Sequence, residues 1–447
     1  MLRYSRQIFA QMPMVNNAIS QKAQWSAGTA WNPTFIGSDK EWGQVATDWL
    51  VNNWYPIAST QGFDFGSCLK LASINLDIDG DILMIYVLSR SGFPQIQFIE
   101  SHRIGCRNYS DIVVKEGKYK GLPIFNGVIK NESGRPIAYR ILGDTVDDDF
   151  DISTKNCKLL FDPIHFSMTR GIPKLASAIM DSIDAKDIDE FLKQTVKIQS
   201  RISLIRQNAQ GEADIQGGNI IVDSQTVDEG AEPVVPTLPN LELMGDGEVL
   251  WIDNESDIKA LDTSTPSPNT IDFIERIESR IMDSIGWPLY RLDKKGGAVV
   301  RSDQELFRST VISRQSTLWP AAKLAINFAV TNAMQLGMIP QTNGDWWNWD
   351  FVYPSLFSVD QGYERAADIN DFKLGLKTLD DISAVQGKRW LDIRSQVQVE
   401  TEDLLKRASV LAKQYNITLD YAINLLSQRT PNPAPLPPVQ QNQQIQL

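Results

Sequence analysis

Apolar residues recur at helical spacing toward both ends of the chain and at strand spacing between them. Ile271, Ile274, Ile277, Ile281 and Ile285 follow one another at intervals of three, three, four and four, which puts them on one face of a helix. Asn269 and Asp272 supply its start, and Gly286-Trp287-Pro288 its stop, because proline lacks the N–H a helix needs and restricts the residue before it. An imperfect stripe of Leu175, Ile179, Ile183, Ile188, Phe191, Leu192, Val196, Ile202 and Ile205 predicts an earlier helical stretch of about 30 residues, roughly 45–50 Å long. Ile8, Met12, Val15 and Ile19 predict an N-terminal helix carrying Arg3 and Arg6, and a second helix covers Glu41 to Asn53.

Between these segments the period changes. Leu71 to Leu76 and Ile82 to Leu88 read as a β-hairpin turning through Asp77-Ile78-Asp79-Gly80-Asp81, and Gly127 to Ile141 as another, turning at Glu132-Ser133-Gly134-Arg135. Ile96 to Ile99 adds a strand, so residues 65–165 are predicted to be mainly β. Further on, Ser302-Asp303-Gln304-Glu305 has the capping-box pattern for a helix running toward Met334, with a kink expected at Pro320. The tryptophan-rich run Asp345 to Asp350 leads into a strand or loop packed on the β region. Thr378-Leu379-Asp380-Asp381 caps another helix, Gly387 breaks it, and Trp390 to Gln414 forms a long amphipathic helix. Residues 430–447, with five prolines and five glutamines, form a low-complexity tail expected to be mobile.

Charge changes this picture at one place. Residues 207–268 hold thirteen acidic side chains and one basic, Lys259, which equals the net charge of −12 of the whole chain; the rest is balanced, 42 against 42. This block is rich in Gly, Pro and Asp, with apolar pieces at Ile220-Ile221-Val222, Leu241-Glu242-Leu243 and Glu248 to Ile252, so short strands in long loops are expected. The chain has 447 residues, 42% of them hydrophobic, enough for two or three lobes with a sizeable core. No run of 18 apolar residues occurs, and Met1 to Met14 lack a signal-peptide stretch, so a soluble protein made in a cytosol is expected. Cys68, Cys106 and Cys157 are few and far apart, as in a reduced protein with structural thiols. An acidic chain is a poor static binder of nucleic acid, whose affinity comes from Lys and Arg releasing counterions. A conduit through which DNA must slide is better served by an acidic passage.

Enzyme signals are weak. His102 and His165 are the only histidines and sit in no metal-binding spacing. There is no nucleophile elbow, phosphate loop or dinucleotide fingerprint. Asp77, Asp79 and Asp81 imitate the start of a calcium loop, but glycine falls fourth and Leu88 occupies position twelve, where a bidentate carboxylate is needed; a hairpin turn fits better. The run Asp144, Asp147, Asp148, Asp149 and Asp151 could serve a two-metal nuclease, but no matching Asp/Glu/Lys pattern occurs elsewhere, and a solvated acidic loop is the better reading. Lys193, Lys197 and Arg201 share one helix face. They are either a solvated face or a surface for a polyanion or for a neighbouring subunit's acids. Lys294, Lys295, Gly296, Gly297, Val299 and Arg301 form either an ordinary interhelical loop or one that touches a passing ligand, two glycines easing its motion.

In order along the chain, several segments resemble the lambda-like branch of the portal proteins, or head–tail connectors, of tailed bacteriophages. Met168-Thr169-Arg170-Gly171-Ile172-Pro173-Lys174-Leu175 resembles the Arg-Gly-aliphatic-x-x-Leu run that opens the family's helical region. Leu243-Met244-Gly245-Asp246 is similar to its segment before the second stem helix, and Ile285-Gly286-Trp287-Pro288 to its helix end. Gly375, Thr378, Gly387 and Glu400 sit as in its C-terminal region, and the Asn126 to Ile141 hairpin resembles its N-terminal β region.

The resemblance implies an α+β, portal-like protomer with a mixed α/β wing, long stem helices, a small β-containing clip and an α-helical crown. The wing would be residues 1–173 and 302–375, the stem helices 174–206 and 269–287, the acidic clip 207–268, and the tunnel loop 288–301. The crown-like helices would be 376–429 and the tail 430–447. After Pro288 this chain departs from the family pattern, with a shorter loop lacking the Ser/Thr/Ala-rich run. The family's function implies a twelve-subunit homo-oligomeric ring at one capsid vertex of the virion, assembled in the bacterial host cytoplasm. Double-stranded DNA would pass through it during packaging and ejection. The terminase large subunit, head–tail adaptor or tail proteins and the major capsid protein would dock on it, with no cofactor, metal, membrane or catalytic residue. Lys193, Lys197 and Arg201 become a basic stem face, and Lys294 to Arg301 a channel loop. Asp223, Asp228, Glu229, Glu232, Glu242, Asp246, Glu248, Asp253, Glu255 and Asp257 become a partner-docking surface. The alternatives are another phage structural protein, of capsid or baseplate, and a metal-dependent nuclease.

Overall fold

The computed structural model describes residues 1–28, 31–107, 112–201, 205–206, 250–251, 268–288, 296–354, 361–386 and 388–427. In chain order the first elements are α1 (Leu2–Gln11), α2 (Pro13–Ala27), β1 (Asn32–Phe35), α3 (Lys40–Trp49) and α4 (Phe65–Ile78). The strands β2 (Asp81–Leu88), β3 (Pro94–Glu100), β4 (Ile124–Phe125), β5 (Val128–Lys130), β6 (Pro136–Ile141), β7 (Phe150–Ser153) and β8 (Cys157–Phe161) follow. Then come α5 (Ile179–Arg201), β9 (Ile205–Arg206), β10 (Leu250–Trp251), α6 (Pro268–Ser284), α7 (Gly297–Gln335) and β11 (Trp349–Val352). The C-terminal helices are α8 (Gln361–Lys373), α9 (Leu379–Val385), α10 (Trp390–Tyr415) and α11 (Leu419–Ser427). The chain divides into two compact units, one of Met1–Ile19, Asp77–Asp79 and Ile172–Lys294, the other of Ser20–Leu76, Gly80–Gly171 and Lys295–Leu447.

In the first unit the N-terminal stripe is two helices and not one. Met12 has extended backbone (φ −104°, ψ 103°), because Pro13 behind it disfavours the helical conformation. A 3-10 turn, Lys174–Ala178, leads into α5. Leu175, Ala178 and Ala185 are buried, as are Ile277, Ile281, Met282 and Ile285 at the end of α6. Elsewhere the stripes stay open, with Ile271 and Phe273 on α6, and Ile183, Phe191 and Val196 on α5, all exposed. The stop of α6 is built by glycine before proline can act. Gly286 takes φ +68°, and the Trp287 N–H donates back to Met282 O at 3.0 Å, the glycine-dependent closure of a helix C-terminus. Strands β9 and β10 pair in parallel, placing one of the three short strands expected in the acidic block; the other two lie outside the described residues.

The second unit is layered around β2. An antiparallel sheet of order β3-β2-β8 lies between a helical layer and a four-stranded antiparallel sheet of order β4-β5-β6-β7. Ile82 and Met84 face a core with Ile96, Leu160, Leu76 and the α7 residues Leu318, Ala322, Ala325 and Ala329. Leu83 and Ile85 face Ile99, Val128, Tyr139 and Ile141. Both faces of β2 are therefore covered, which is why its sequence is a continuous apolar run. The small residues of α7 at spacings of three and four let that helix approach the sheet closely. A third layer of aromatic residues braces β1 against β11, which pair antiparallel; Trp31, Trp54 and Trp349 are fully buried. The tryptophan-rich run thus feeds a strand, but its partner is β1 and not the sheets of residues 81–161.

Two expectations are corrected here. The first arm of the 71–88 hairpin is helical. Phe65, Cys68, Leu69, Ala72, Ser73 and Leu76 are the buried positions, a 3-4 pattern, and Asp64 caps the helix by accepting from Ser67 N–H at 2.8 Å. The second concerns the start of α7. It begins at Gly297, with the N–H groups of Val299 and Val300 donating to Gly296 O at 3.0 and 3.1 Å. Ser302 to Glu305 lie inside it, and the helix runs unbroken through Pro320 for 39 residues. The Gly127–Ile141 hairpin and the 390–415 helix form as expected, and Thr378 and Asp381 make a reciprocal capping box on α9. Gly387 and residues 430–447 lie outside the described residues.

Candidate functional site

The residue constellation that the structure assembles most completely is centred on Arg170. Its guanidinium makes a forked pair with Asp81, Nε to Oδ2 at 2.6 Å and Nη2 to Oδ1 at 3.0 Å. The remaining N–H groups donate to Ile104 O at 2.7 Å, Asn126 O at 2.8 Å, and Ser101 O and Oγ, both at 2.9 Å. One side chain therefore ties the start of β2, the turn after β3 and the turn between β4 and β5. The Asp81 side chain is 1% exposed, and the planar fork and a further N–H, from Gly171 at 2.8 Å, replace the water it loses on burial. Gly171 admits no side chain here, since a Cβ would lie 1.9 Å from the carbonyl oxygen of Gly80. Sequence reading singled out Arg170-Gly171 as a family signature and Asp81 as part of a turn, but only tertiary packing joins them.

The neighbouring carboxylate is used in the same way. Asp79, also buried, receives Arg6 at 2.8 Å (Nε to Oδ1). Two of the three acids of the imitation calcium loop, Asp79 and Asp81, are thus occupied by arginines. The Asp144–Asp151 run is likewise organised, more than the solvated loop expected. Asp149 receives Arg107 through two bonds of 2.9 and 2.8 Å and the Gly143 N–H at 2.9 Å. Asp151 receives Arg140 at 2.8 and 3.0 Å, and Asp148 caps Thr145 through a 2.6 Å hydroxyl bond. The Arg107 fork holds the Asp149 carboxyl below the usual carboxylate range. A folded pKa lowered in this way contributes stability above the unfolded-state value near 3.8, lost as pH falls through the folded value. Asp149→Asn is therefore expected to be less stable than the parent at neutral pH. That gap closes as acid titration passes below pH 3.8, read by fluorescence-monitored unfolding; a gap that persists in acid contradicts this.

The sequence-predicted elements fall as follows. Lys193 pairs with Asp189 one turn away, so part of the basic face is engaged within its own helix; Lys197 and Arg201 lie further along α5. Of the tunnel loop, Lys294 and Lys295 lie outside the described residues. Gly296 is the cap of α7, and Gly297, Val299 and Arg301 belong to its first turns, a correction to their expected loop. Val299 is half exposed. The ten clip acids, Asp223, Asp228, Glu229, Glu232, Glu242, Asp246, Glu248, Asp253, Glu255 and Asp257, lie outside the described residues. His102 sits 3.2 Å from Glu100. Among the described residues no group of three or more His, Cys, Asp or Glu could hold a metal ion, and no helix is long and apolar enough to cross a membrane.

Residues 3–294 match the family model described as phage portal protein, lambda family. The match takes in the Arg170 clamp, α5, the acidic block and α6. No curated protein sequence matches. Similar solved structures come from gene transfer agent (GTA) particles. A chain from the neck of an empty GTA particle, computed with C6 symmetry, is 13% identical, covers 86% of this chain and 92% of its own, and has a TM-score of 0.45. One from the virion of a native particle is 11% identical, with coverages of 86% and 92% and a TM-score of 0.45. Another, from a native neck computed with C12 symmetry, is 12% identical, with coverages of 86% and 91% and the same score. On the family match, which spans well over half its length, the chain belongs to the lambda family of phage portal proteins. It is a structural protein of the phage head, forming a ring at one vertex of the capsid.

Proposed function

We propose that twelve copies close the ring in the virion, that double-stranded DNA passes through it during packaging and ejection, and that it docks the terminase large subunit first and a head–tail adaptor afterwards. Assembly takes place in the bacterial host cytoplasm, where the major capsid protein builds around the ring. The observation that carries this reading is the family match over residues 3–294. Supporting it, the exposed apolar residues on α5 and α6 lack cover among the described residues of one protomer, and neighbouring copies in a closed ring supply it. The acidic block is the docking surface. Twelve copies concentrate about 144 formal negative charges there, from −12 in each, which favours basic partner surfaces and discourages DNA from adhering. Lys193, Lys197 and Arg201 on the stem, and the segment from Lys294 to Arg301 ahead of and within the first turns of α7, are the elements assigned to the channel. Mass photometry tests the assembly. Twelve chains of 50.2 kDa give a species of about 600 kDa, and a monomer persisting under assembly conditions contradicts the reading.

A further inference from the structure

The segment after β8 is anchored at its base and bare at its tip. Asp162 accepts a 2.6 Å hydrogen bond from the Thr317 hydroxyl and lies 3.8 Å from Arg314 Nη1, both on α7. The Met168 N–H donates to His165 O at 3.1 Å and closes the loop. At the tip Ile164 is 67% exposed and Phe166 112%, so the Phe166 ring is as solvated as in an extended peptide. A phenylalanine held out in this way on a tied loop is a protruding contact residue that the described residues of its own protomer leave uncovered.

A cleft lies on the same helix. Ile312, Gln315, Ser316 and Trp319, with Tyr353 just after β11, line a cleft of about 280 Å³. Its walls are braced: Tyr353 stands edge-on to Trp31 with centroids 4.9 Å apart, and the Trp319 ring carries the Lys323 ammonium at 4.8 Å. Ile312 at the rim is 51% exposed. At 3.6 residues per turn, the cleft-lining positions of α7 lie about half a turn around the helix from Arg314 and Thr317. The loop is therefore tied to one side of α7 and the cleft opens on the other, so one copy does not close the contact on itself. Copies arranged head to tail do, because a heterologous interface joins two different patches of the same chain.

We propose that Phe166 of one copy seats in the Trp319–Tyr353 cleft of the next copy around the ring. This rests on the ring reading above and goes beyond it by naming the contact. The test uses the full chain with Cys106→Ser as background and His165→Cys, exposed beside an intact Phe166, combined with Ile312→Cys, treated with a short bismaleimide. A ladder of cross-linked species on a denaturing gel is expected from the pair and not from either cysteine alone. Rings visible by electron microscopy without a ladder overturn this contact and leave the ring reading standing; a parent chain that stays at 50.2 kDa overturns both. Phe166→Asp gives an independent readout. It is expected to weaken each intersubunit contact about tenfold or more while the protomer's thermal unfolding is unchanged, and ring formation at the parent's concentration contradicts the proposal.

Discussion

Replacing Arg170 by alanine is expected to destabilise the protomer by about 3–5 kcal/mol. The substitution strands the Asp81 carboxylate, 1% exposed, without its charge partner, and leaves the carbonyls of Ser101, Ile104 and Asn126 without the donors that Arg170 supplies. Breaking one side of a buried pair costs far more than the pair contributes in total, because the remaining charge stays desolvated. Arg170→Lys recovers little, since an ammonium on a flexible stem cannot make the forked bond to Asp81 while also reaching three backbone segments. The double variant Arg170→Met with Asp81→Leu is expected to lose less than the two single changes together. Denaturant midpoints of the four proteins measure this, and a loss below about 1 kcal/mol for Arg170→Ala contradicts the role assigned to the clamp.

Gly171→Ala is the second large effect. Its Cβ would lie 1.9 Å from the Gly80 oxygen and 2.4 Å from the Gly80 carbonyl carbon, and both are backbone, so no side-chain rotation relieves the overlap. The chain must shift at the residue whose N–H also holds Asp81, and the two losses combine. A cost of about 3 kcal/mol is expected, seen as a lowered melting temperature and reduced soluble yield. A variant that melts with the parent shows that the backbone at Gly80 yields freely, contrary to the packing described here.

The helices were legible wherever their pattern was local. The five-isoleucine stripe of α6, the capping box of Thr378 and Asp381, and the 390–415 helix carry their signals within a few turns of chain. Residues 71–76 read as strand or helix alike because four apolar residues in six satisfy either period, and the deciding positions, Phe65, Cys68 and Leu69, lie upstream. Gly286 and Pro288 both signal a stop, and only the hydrogen bonding shows that glycine acts first. The start of α7 was hidden by two glycines that read as loop residues and by a better capping sequence one turn and more downstream.

The clamp was half legible. Arg170-Gly171 stood out by resemblance and Asp81 by its spacing, but 89 residues separate the partners, and no local rule couples them. The same holds for Arg107 with Asp149 and for Arg6 with Asp79: acids that looked like a metal-binding or solvated run were each waiting for an arginine from elsewhere in the chain. Charge composition, by contrast, needed no structure, since the acidic block is a property of the sequence itself.

The proposed assembly of this chain is a closed twelve-fold ring around a channel. End-on class averages of the purified chain by electron microscopy test it most directly. Closed rings with twelve-fold rotational symmetry and a central opening are expected. Isolated protomers, open chains or two-fold dimers as the dominant particles, under conditions where the protein is folded, contradict it.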